Sequence, residues 1–373
     1  MSDVYFISRR AKAGKGLVDK LRLLMDKASL MDVVEPKDLV ALKLHFGERG
    51  NTGTLRPPFV GAVVDTVRKK EGKPFLTDTN TLYRGSRANA ADHLDTAMEN
   101  GYAYAVVKAP IVIADGLMGK DYRSIPIQGK HLQEVKIASA GLDADAMIVL
   151  SHFKGHELTG FGGAIKNLAM GLASRSGKLI QHSDVKPVVG KTCKSCAKCL
   201  PWCPVDAISM GEQAVIAGEL CIGCGECTLT CPHKAIGINW KQETVLLQEK
   251  MAEYAYGAIQ DKLKNRKIAF INFVTDVTPE CDCCSWSDAP IVADIGILAS
   301  FDPIALDQAC YDLVNEAPGL LNNRIEDRDP AGARKGVDKF RVIHPNVDGT
   351  VQLQHGETMG LGNRSYNLIR LPE

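Results

Sequence analysis

The sequence lacks the features of several common protein classes, and each absence narrows its function. No stretch approaches the roughly 18 consecutive apolar residues that a transmembrane helix needs. The net charge is only +1, and no basic run is interleaved with aromatic residues, so nucleic-acid binding is not expected. The first ten residues lack both a basic segment and the long apolar core of an export signal. We therefore expect a cytoplasmic protein without a membrane span.

The chain is rich in cysteine, and eight of its twelve cysteines form two runs with the same spacing. Each run has the spacing C-x-x-C-x-x-C-x-x-x-C-P, the signature of a [4Fe–4S] site in bacterial ferredoxins. In tandem runs of this kind, the first three thiolates hold one cluster and the fourth reaches the other cluster. The two predicted ligand sets are Cys193, Cys196, Cys199 and Cys231, and Cys203, Cys221, Cys224 and Cys227.

Two other uses of these cysteines fit the pattern less well. Zinc sites usually combine two C-x-x-C pairs that are separated by a longer arm. Disulfide frameworks are typical of short secreted chains, whereas this chain has 373 residues. Twelve cysteines without an export signal fit a reducing compartment and an oxygen-poor cell.

Outside the cysteine runs, short apolar segments alternate with helix-period segments, which predicts an α/β fold with a mostly parallel, doubly wound-like sheet. The predicted strands are Val4–Ile7, Leu39–Phe46, Pro74–Thr77, Ile111–Ala114, Ala146–Leu150, Lys267–Val274 and Ala289–Ile297, with a hairpin over Arg123–Ile137. The predicted helices are Gly16–Ala28, Pro57–Lys70, Asn89–Asn100, Ala164–Ala173, Thr244–Lys264 and Pro303–Asn315. From Phe340 onward we expect short strands and turns.

The cysteine-rich segment interrupts this alternation, and the α/β pattern resumes after it. We therefore predict a discontinuous α/β domain that comprises residues 1–186 and 241–373. Between its two parts, residues 187–240 are predicted to form an inserted α+β two-cluster ferredoxin domain.

Ligands of open α/β sheets bind beyond the carboxyl ends of the strands, where this chain carries polar residues. His45, His152, Lys154 and His156 follow predicted strands and are candidates for acid–base catalysis or substrate binding. A divalent metal held by the histidines is the alternative.

A glycine-rich turn precedes the predicted helix Ala164–Ala173. It is a candidate cofactor-binding segment, in which backbone N–H groups and a lysine close around a phosphate, a carboxylate or a cofactor tail. Its residues are Gly160, Gly162, Gly163, Lys166 and Asn167. Because neither the P-loop nor the dinucleotide fingerprint is present, no flavin or nicotinamide is assigned, and a plain strand-to-helix turn remains the alternative.

A third cysteine group, Cys281, Cys283 and Cys284, lies outside the two runs. Cys281 and Cys283 are candidates for an additional metal site or a redox pair, with inert packing as the alternative. Cys310 lies within a predicted helix and is expected to be buried, and Asp302 before Pro303 is expected to cap that helix.

Several motifs around the cysteine runs resemble the prokaryotic iron–sulphur-centre proteins of domain-of-unknown-function family 362. These motifs are Leu42–Glu48, Thr77–Tyr83, Ser151–His156, Gly162–Asn167 and Cys281–Cys283. The resemblance covers nearly the whole chain and implies a cytoplasmic protein with two [4Fe–4S] clusters on the eight cysteines. It implies no substrate.

Three functional hypotheses follow from these observations. The first is an oxidoreductase in which two [4Fe–4S] clusters feed electrons to a small anionic substrate at the strand ends. The second is a non-catalytic electron carrier or redox adaptor, and both of these need a partner protein as electron donor or acceptor. The third is a metal-assisted enzyme of non-redox type. The sequence does not indicate the electron donor or the oligomeric state.

Overall fold

The computed structural model describes residues 1–83, 85–182, 187–203, 205–221, 226–237 and 244–372. Its strands are Ser2–Ser8 (β1), Leu39–Lys43 (β2), Lys73–Asp78 (β3), Ile111–Ile113 (β4), Tyr122–Pro126 (β5), Glu134–Ala138 (β6), Ala146–His152 (β7), Lys154–His156 (β8), Gly160–Gly162 (β9), Val188–Val189 (β10), Ile208–Met210 (β11), Ala214–Ile216 (β12), Ile236–Gly237 (β13), Ile268–Val274 (β14), Gly296–Ser300 (β15) and Tyr366–Arg370 (β16).

The α-helices are Leu17–Lys27 (α1), Pro57–Lys69 (α2), Ala90–Ala97 (α3), Tyr104–Val107 (α4), Ser139–Asp143 (α5), Ala164–Leu172 (α6), Arg175–His182 (α7), Glu226–Thr230 (α8), Thr244–Lys264 (α9), Pro303–Glu316 (α10), Arg324–Arg328 (α11), Lys339–Ile343 (α12) and Val351–Thr358 (α13). Short 3₁₀ helices span Leu30–Val33, Leu200–Trp202 and Pro330–Ala333, and a π-helical turn spans Met98–Tyr102.

The main sheet has the strand order β16-β1-β15-β14-β7-β2-β3-β4. The five strands from β14 to β4 pair in parallel, whereas β15 is antiparallel to both of its neighbours. The predicted mostly parallel α/β sheet is therefore confirmed. Because these five strands run in one direction, their carboxyl ends lie along one edge of the sheet.

Helices cover both faces of this sheet, as the continuous apolar sequence of its central strands requires. In β7, Met147 and Val149 pack into one hydrophobic core, while Ile148 and Leu150 pack into the other. Helices α6, α9 and α10 contribute to the first core, and α1 and α2 contribute to the second. A central strand buried on both faces holds the residues at its end in fixed positions.

The cysteine-rich segment forms two small two-stranded sheets, β10 with β13 and β11 with β12. Cys199, Cys227 and Cys231 belong to a third hydrophobic cluster, formed by residues of this segment. Cys224 and the residues at the predicted domain boundaries, 186 and 240–241, lie outside the described residues. The limits of the insert and its ferredoxin character stay predictions.

Two predictions about secondary structure are wrong. The strand predicted at Ala289–Ile297 begins only at Gly296; before it, the Asp294 carboxylate accepts hydrogen bonds from the backbone N–H of Asp276 and from the side chain of Arg9. The tail from Phe340 contains the helices α12 and α13 before its single strand β16. The start of α12 is capped by Asp338, whose carboxylate accepts a hydrogen bond from Arg341 N.

The smaller predictions about α10 are confirmed. Asp302 caps this helix by accepting hydrogen bonds from Ile304 N and Ala305 N, both at 2.9 Å. Cys310 within it is fully buried.

Asp307 of α10 joins two helices and a strand. Its carboxylate accepts hydrogen bonds from Ala164 N at 2.8 Å and Ile165 N at 3.0 Å, at the start of α6. It also accepts one from Asn272 Nδ2 of β14 at 2.6 Å. A Cβ atom at Gly163 would lie 2.3 Å from Asp307 Oδ1, so the close approach requires glycine.

Replacing Asp307 by alanine leaves these three buried donors without their acceptor. We expect the free energy of unfolding to fall by about 3 kcal/mol, measured by urea denaturation. The control is Asp329→Ala, which removes the capping acceptor of an exposed 3₁₀ helix and should cost about 1 kcal/mol. Equal losses in the two variants would contradict this role of Asp307.

Candidate functional site

A cavity of about 470 Å³ opens at the carboxyl ends of the central parallel strands. Lys43 and His45 reach it from β2, Asp78 from β3, and Ser151 and His152 from β7. This is the position at which ligands bind in open α/β sheets.

Most of the candidate residues named from the sequence line this one cavity. They are His45, His152, Lys154, His156, Gly162, Gly163, Lys166, Asn167 and Cys283. Gly160 is not among the lining residues; its positive φ of +74° forms the turn into β9. Cys281 is buried and accepts a hydrogen bond from Lys166 Nζ at 3.4 Å.

The expected anion site on backbone N–H groups after the glycine turn needs correction. Gly160 and Gly162 belong to β9, which pairs with β8 in a short hairpin. The N–H groups of Ala164 and Ile165 already donate to Asp307, so they are not available to a ligand. Asn167 is held by neighbouring groups as well, because its Nδ2 donates to Leu150 O at 3.0 Å.

The cavity wall carries more positive than negative charge. Its five cationic side chains are Lys43, Arg87, Lys154, Lys166 and Lys178, and its two carboxylates are Asp78 and Glu157. Behind the lining, Asp282 pairs with Lys154 and Glu48 pairs with Arg87. Lys166 lies against the Cys281 thiol instead, so its charge is the one that a bound anion would complete, because a buried charge needs a partner of opposite sign.

Lys43 and Asp78 form a buried ion pair at the ends of β2 and β3. Their charged atoms lie 3.0 Å apart, and Lys43 Nζ also donates to Asn167 Oδ1 at 2.6 Å. Burial lowers the pKa of Lys43, and the charge of Asp78 opposes this shift. The pair therefore binds two neighbouring strand ends to α6.

Asp282 holds the end of β7 in place. Its carboxylate accepts a hydrogen bond from His152 Nδ1 at 2.9 Å and lies 3.2 Å from Lys154 Nζ. Burial raises the pKa of Asp282, but the charges of His152 and Lys154 outweigh this and hold it well below its ordinary value. The site thus contains a permanently ionised carboxylate.

The hydrogen bonds of His152 and His156 disfavour metal binding by their ring nitrogens. Both ring nitrogens of His152 face oxygen acceptors, Asp282 on one side and the carbonyl groups of Thr275 and Asp276 on the other. Nδ1 of His156 accepts hydrogen bonds from backbone N–H groups, so its lone pair is used. A metal shared by His152 and His156 is therefore disfavoured.

His45 has the same arrangement as His156, since its Nδ1 accepts a hydrogen bond from Gly47 N at 3.0 Å. Burial, followed by the charges of Arg87 and Lys154, lowers the pKa of His45 well below its ordinary value. Burial lowers the pKa of His156 to about 3. Both rings are uncharged at neutral pH and retain a second N–H that can bind a ligand oxygen.

The sequence analysis missed several residues of the site. Lys43 could have been predicted, because a lysine inside an apolar strand indicates a buried charge with a functional role. Asp282 lies between Cys281 and Cys283, and only these two cysteines were predicted to belong to the site. Arg87 and Lys178 carry no local signal, because a loop and α7 bring them to the cavity only in the folded chain.

In the cysteine-rich segment, four thiols from the two runs line one small cavity. They are Cys193, Cys196, Cys199 and Cys231. Backbone N–H groups point at the sulphur atoms, with Ala214 N 3.5 Å from Cys193 Sγ and Ala235 N 3.3 Å from Cys231 Sγ. Of the second predicted set, Cys203, Cys221 and Cys227 are described and Cys224 is not.

The two segments that border the insert also reach the large cavity. His182, at the end of α7, and Leu247, in the first turn of α9, both line it.

Fold and site together define an α/β protein with a cavity rich in lysine and arginine at the strand ends and a cysteine-rich segment. A family model described as domain of unknown function (DUF362) matches residues 40–312. The chain belongs to this family.

A thylakoid-associated protein of Synechocystis sp. is 30% identical over 164 residues, which are 43% of this chain and 47% of that protein. The lactate racemase apoprotein of Thermoanaerobacterium thermosaccharolyticum has a TM-score of 0.42 at 13% identity, over 74% of this chain and 51% of that one. A Thermotoga maritima protein from structural genomics has a TM-score of 0.41 at 10% identity, over 80% and 57%. The chain thus spans about half the length of these proteins. Within the described ranges, no helix has the length and apolar character to cross a membrane.

Three buried histidines predict how stability depends on pH. Burial lowers the pKa of His93 and of His156 to about 3, and it lowers that of His45 as well. In the unfolded chain each ring takes up a proton below about pH 6.5. The stability that comes from keeping these rings uncharged in the folded protein is therefore complete above that pH and is lost as the pH falls.

Replacing His93 by glutamine removes one of these titrations. Between pH 5.5 and 4.5 we expect the slope of unfolding free energy against pH to decrease by about 1.4 kcal/mol per pH unit. Urea unfolding at a series of pH values measures it. Above pH 7.5 the wild type and the variant should have equal slopes, and an unchanged slope in the acidic range would contradict the prediction.

Proposed function

We propose that this protein is an iron–sulphur oxidoreductase that acts on a small anionic substrate in the cavity at the strand ends. Two [4Fe–4S] clusters, held by the eight cysteines of the insert, would supply electrons one at a time. The observation that carries the proposal is the common cavity of three cysteines from the first run and the last cysteine of the second.

The donor set fits a cluster in two respects. In two-cluster ferredoxins with this spacing, the fourth cysteine of each run binds the cluster that is held by the other run. The N–H groups of Ala214 and Ala235 supply the hydrogen bonds to sulphur that tune cluster potentials. Ala207 N makes the equivalent bond to Cys203 Sγ at 3.1 Å, in the second predicted set.

The substrate class is inferred from the cavity wall. Lys166, whose charged group lies against a thiol, favours an anion, and the uncharged rings of His45 and His156 offer N–H groups to its oxygen atoms. The location of His182 and Leu247 supports a connection between insert and cavity, because both segments that border the insert form part of the wall.

An electron carrier or redox adaptor is the second candidate, and one observation favours it. Large apolar side chains of the cysteine-rich segment are about half exposed and are therefore accessible to a partner protein. They are Val188, Trp202, Val215 and Leu220. Replacing His152 and His156 by alanine separates the two functions: lost turnover with intact cluster reduction supports the enzyme, and unchanged electron delivery to a partner supports the adaptor.

Iron analysis of paired variants tests the clusters and their crossed ligands. Anaerobically purified wild type should contain about eight irons and eight sulphides per chain, with EPR signals after dithionite reduction. In the crossed arrangement, Cys193→Ala/Cys231→Ala removes two ligands of one cluster and should retain about four irons. Cys193→Ala/Cys203→Ala removes a ligand of each cluster and should lose both.

Cys310→Ala serves as the control, because this buried cysteine belongs to neither run, and it should retain all the iron. The reverse result for the two double variants would show that each run holds its own cluster. Protein that contains zinc, or stays colourless after reconstitution with iron and sulphide, would refute the proposed function.

Anion binding tests the cavity. We expect phosphate or small dicarboxylates to raise the melting temperature of the wild type, and Lys166→Met to weaken this binding by roughly tenfold or more, because a buried charge-assisted hydrogen bond is lost. Differential scanning fluorimetry at several anion concentrations measures the affinity. Lys130→Met is the matched control, since Lys130 is exposed and pairs with Glu249. Equal weakening in both variants would point to nonspecific screening.

A further inference from the structure

Three cysteines share one turn at the wall of the large cavity. In this thiol turn, defined as Cys281 to Cys284, the Cys284 N–H donates to Cys281 O at 2.9 Å. Asp282 within the turn is bound by His152 and Lys154, as described above. The side chains of Cys283 and Cys284 line the cavity, whereas Cys281 is only 1% exposed.

Three further loop groups hold the backbone of the thiol turn. Its carbonyl groups at positions 282, 283 and 284 accept hydrogen bonds, in that order, from Glu48 N at 2.9 Å, Tyr83 Oη at 3.2 Å and Asn51 Nδ2 at 3.0 Å. A turn fixed at each peptide group presents its thiols in a defined arrangement, which is what a reactive site requires.

The sulphur atoms of the turn are neighbours. Cys281 Sγ, Cys283 Sγ and a ring nitrogen of His156 lie within 4.8 Å of one another. Cys283 also shares hydrogen bonds with Cys281 and with Cys284. Two thiols at this separation, of which one is buried and one faces a cavity, resemble the resolving and attacking members of a redox pair.

A metal ion on the same three groups is disfavoured. A histidine that binds a metal normally donates its other ring N–H to an acceptor. In His156 the opposite holds, because Nδ1 accepts hydrogen bonds from Leu158 N at 3.1 Å and Thr159 N at 3.2 Å. The ring therefore offers an N–H, and not a second lone pair, to its surroundings.

We propose that Cys281 and Cys283 form a redox-active pair that exchanges with a small anionic disulfide bound in the cavity. The charge of the ligand follows from the cationic wall, and its chemistry follows from the paired thiols. This inference rests on the anion-binding cavity of the proposed function and is independent of the clusters.

The exchange proceeds in two steps. The Cys283 sulphur attacks one sulphur of the ligand while its proton passes to the departing half, which leaves as a thiol. The Cys281 sulphur then attacks Cys283 Sγ, which forms the protein disulfide, and its proton leaves with the second half of the ligand as another thiol. In total, two protein thiols are oxidised, one ligand disulfide is reduced to two thiols, and the two protein protons leave with them.

Neighbouring groups act on both thiols. The hydrogen bond with Cys281 lowers the pKa of Cys283, but the hydrogen bond with Cys284 and burial raise it to about 11, so Cys283 loses its proton only as it attacks the ligand. Lys166 Nζ, 3.4 Å from Cys281 Sγ, stabilises the negative charge that develops on this sulphur in the second step. The hydrogen bond with Cys283 and burial raise the pKa of Cys281 well above its ordinary value, so its proton leaves as the sulphur attacks.

Two disulfides of similar size and opposite charge test the proposal. The reduced, cluster-containing protein is incubated without oxygen with dithiodiglycolate, which carries two negative charges, or with cystamine, which carries two positive charges. Peptide mass spectrometry follows the Cys281–Cys283 disulfide. We expect it to form at least tenfold faster with the anionic probe, and Lys166→Met to reduce this rate ratio to below about threefold.

Serine variants identify the individual thiols. Cys281→Ser should stop the reaction at a mixed disulfide on Cys283, whereas the control Cys310→Ser should react like the wild type. If Cys281→Ser does not fold, rapid alkylation of wild-type samples during the reaction should trap the same mixed disulfide on Cys283.

A first adduct on Cys284, equal rates with both probes, or thiols that react only after a chelator removes a metal would each overturn the proposal. The proposed function is tested separately. A protein that fails these exchange experiments but retains eight irons and its anion-dependent melting shift would lack the redox pair and keep the proposed function. Loss of the melting shift would remove the cavity on which both depend.

Discussion

The buried carboxylate of Asp282 is the interaction on which the candidate site depends. It is 1% exposed, and taking such a charge out of water is costly unless partners surround it. His152 at the end of β7 and Lys154 just beyond it provide those partners. The carboxylate thereby joins a rigid central strand to the thiol turn, so that the register of the sheet determines where the sulphur atoms lie. Neither the strand end nor the turn would hold this arrangement alone.

The parallel sheet explains why so many charged groups can share one small volume. Five strands that run in one direction end at a common edge, and three of them, β2, β3 and β7, bring polar side chains to the cavity. Lys43 pairs with Asp78 there, Lys154 with Asp282 and Arg87 with Glu48. Lys166 lies against the Cys281 thiol, and the anion of the proposed function would complete its charge balance. The same wall includes both segments that border the insert.

Local patterns predicted the elements whose residues determine their own structure. The helix Thr244–Lys264 has the bounds expected from its apolar period, and Asp302 before Pro303 caps α10 as expected. The prediction for Ala289–Ile297 was wrong, because the segment before Gly296 forms single long-range hydrogen bonds, such as that of Asp294 with Asp276 N, instead of a strand ladder. His45, His152, Lys154 and His156 could be found because they follow strands, whereas Arg87 and Lys178 come from segments without a motif.

The sequence by itself determined the α/β class and the order of the parallel strands along the chain, because apolar periodicity and residue spacing are properties of neighbouring residues. It also singled out the two cysteine runs. Tertiary structure decided that Asp307 occupies the start of α6, that the lone pairs of His45 and His156 are used by backbone N–H groups, and that Lys166 meets Cys281. These facts depend on contacts between residues that are far apart in the chain or on the direction of a ring, and no local pattern carries that information.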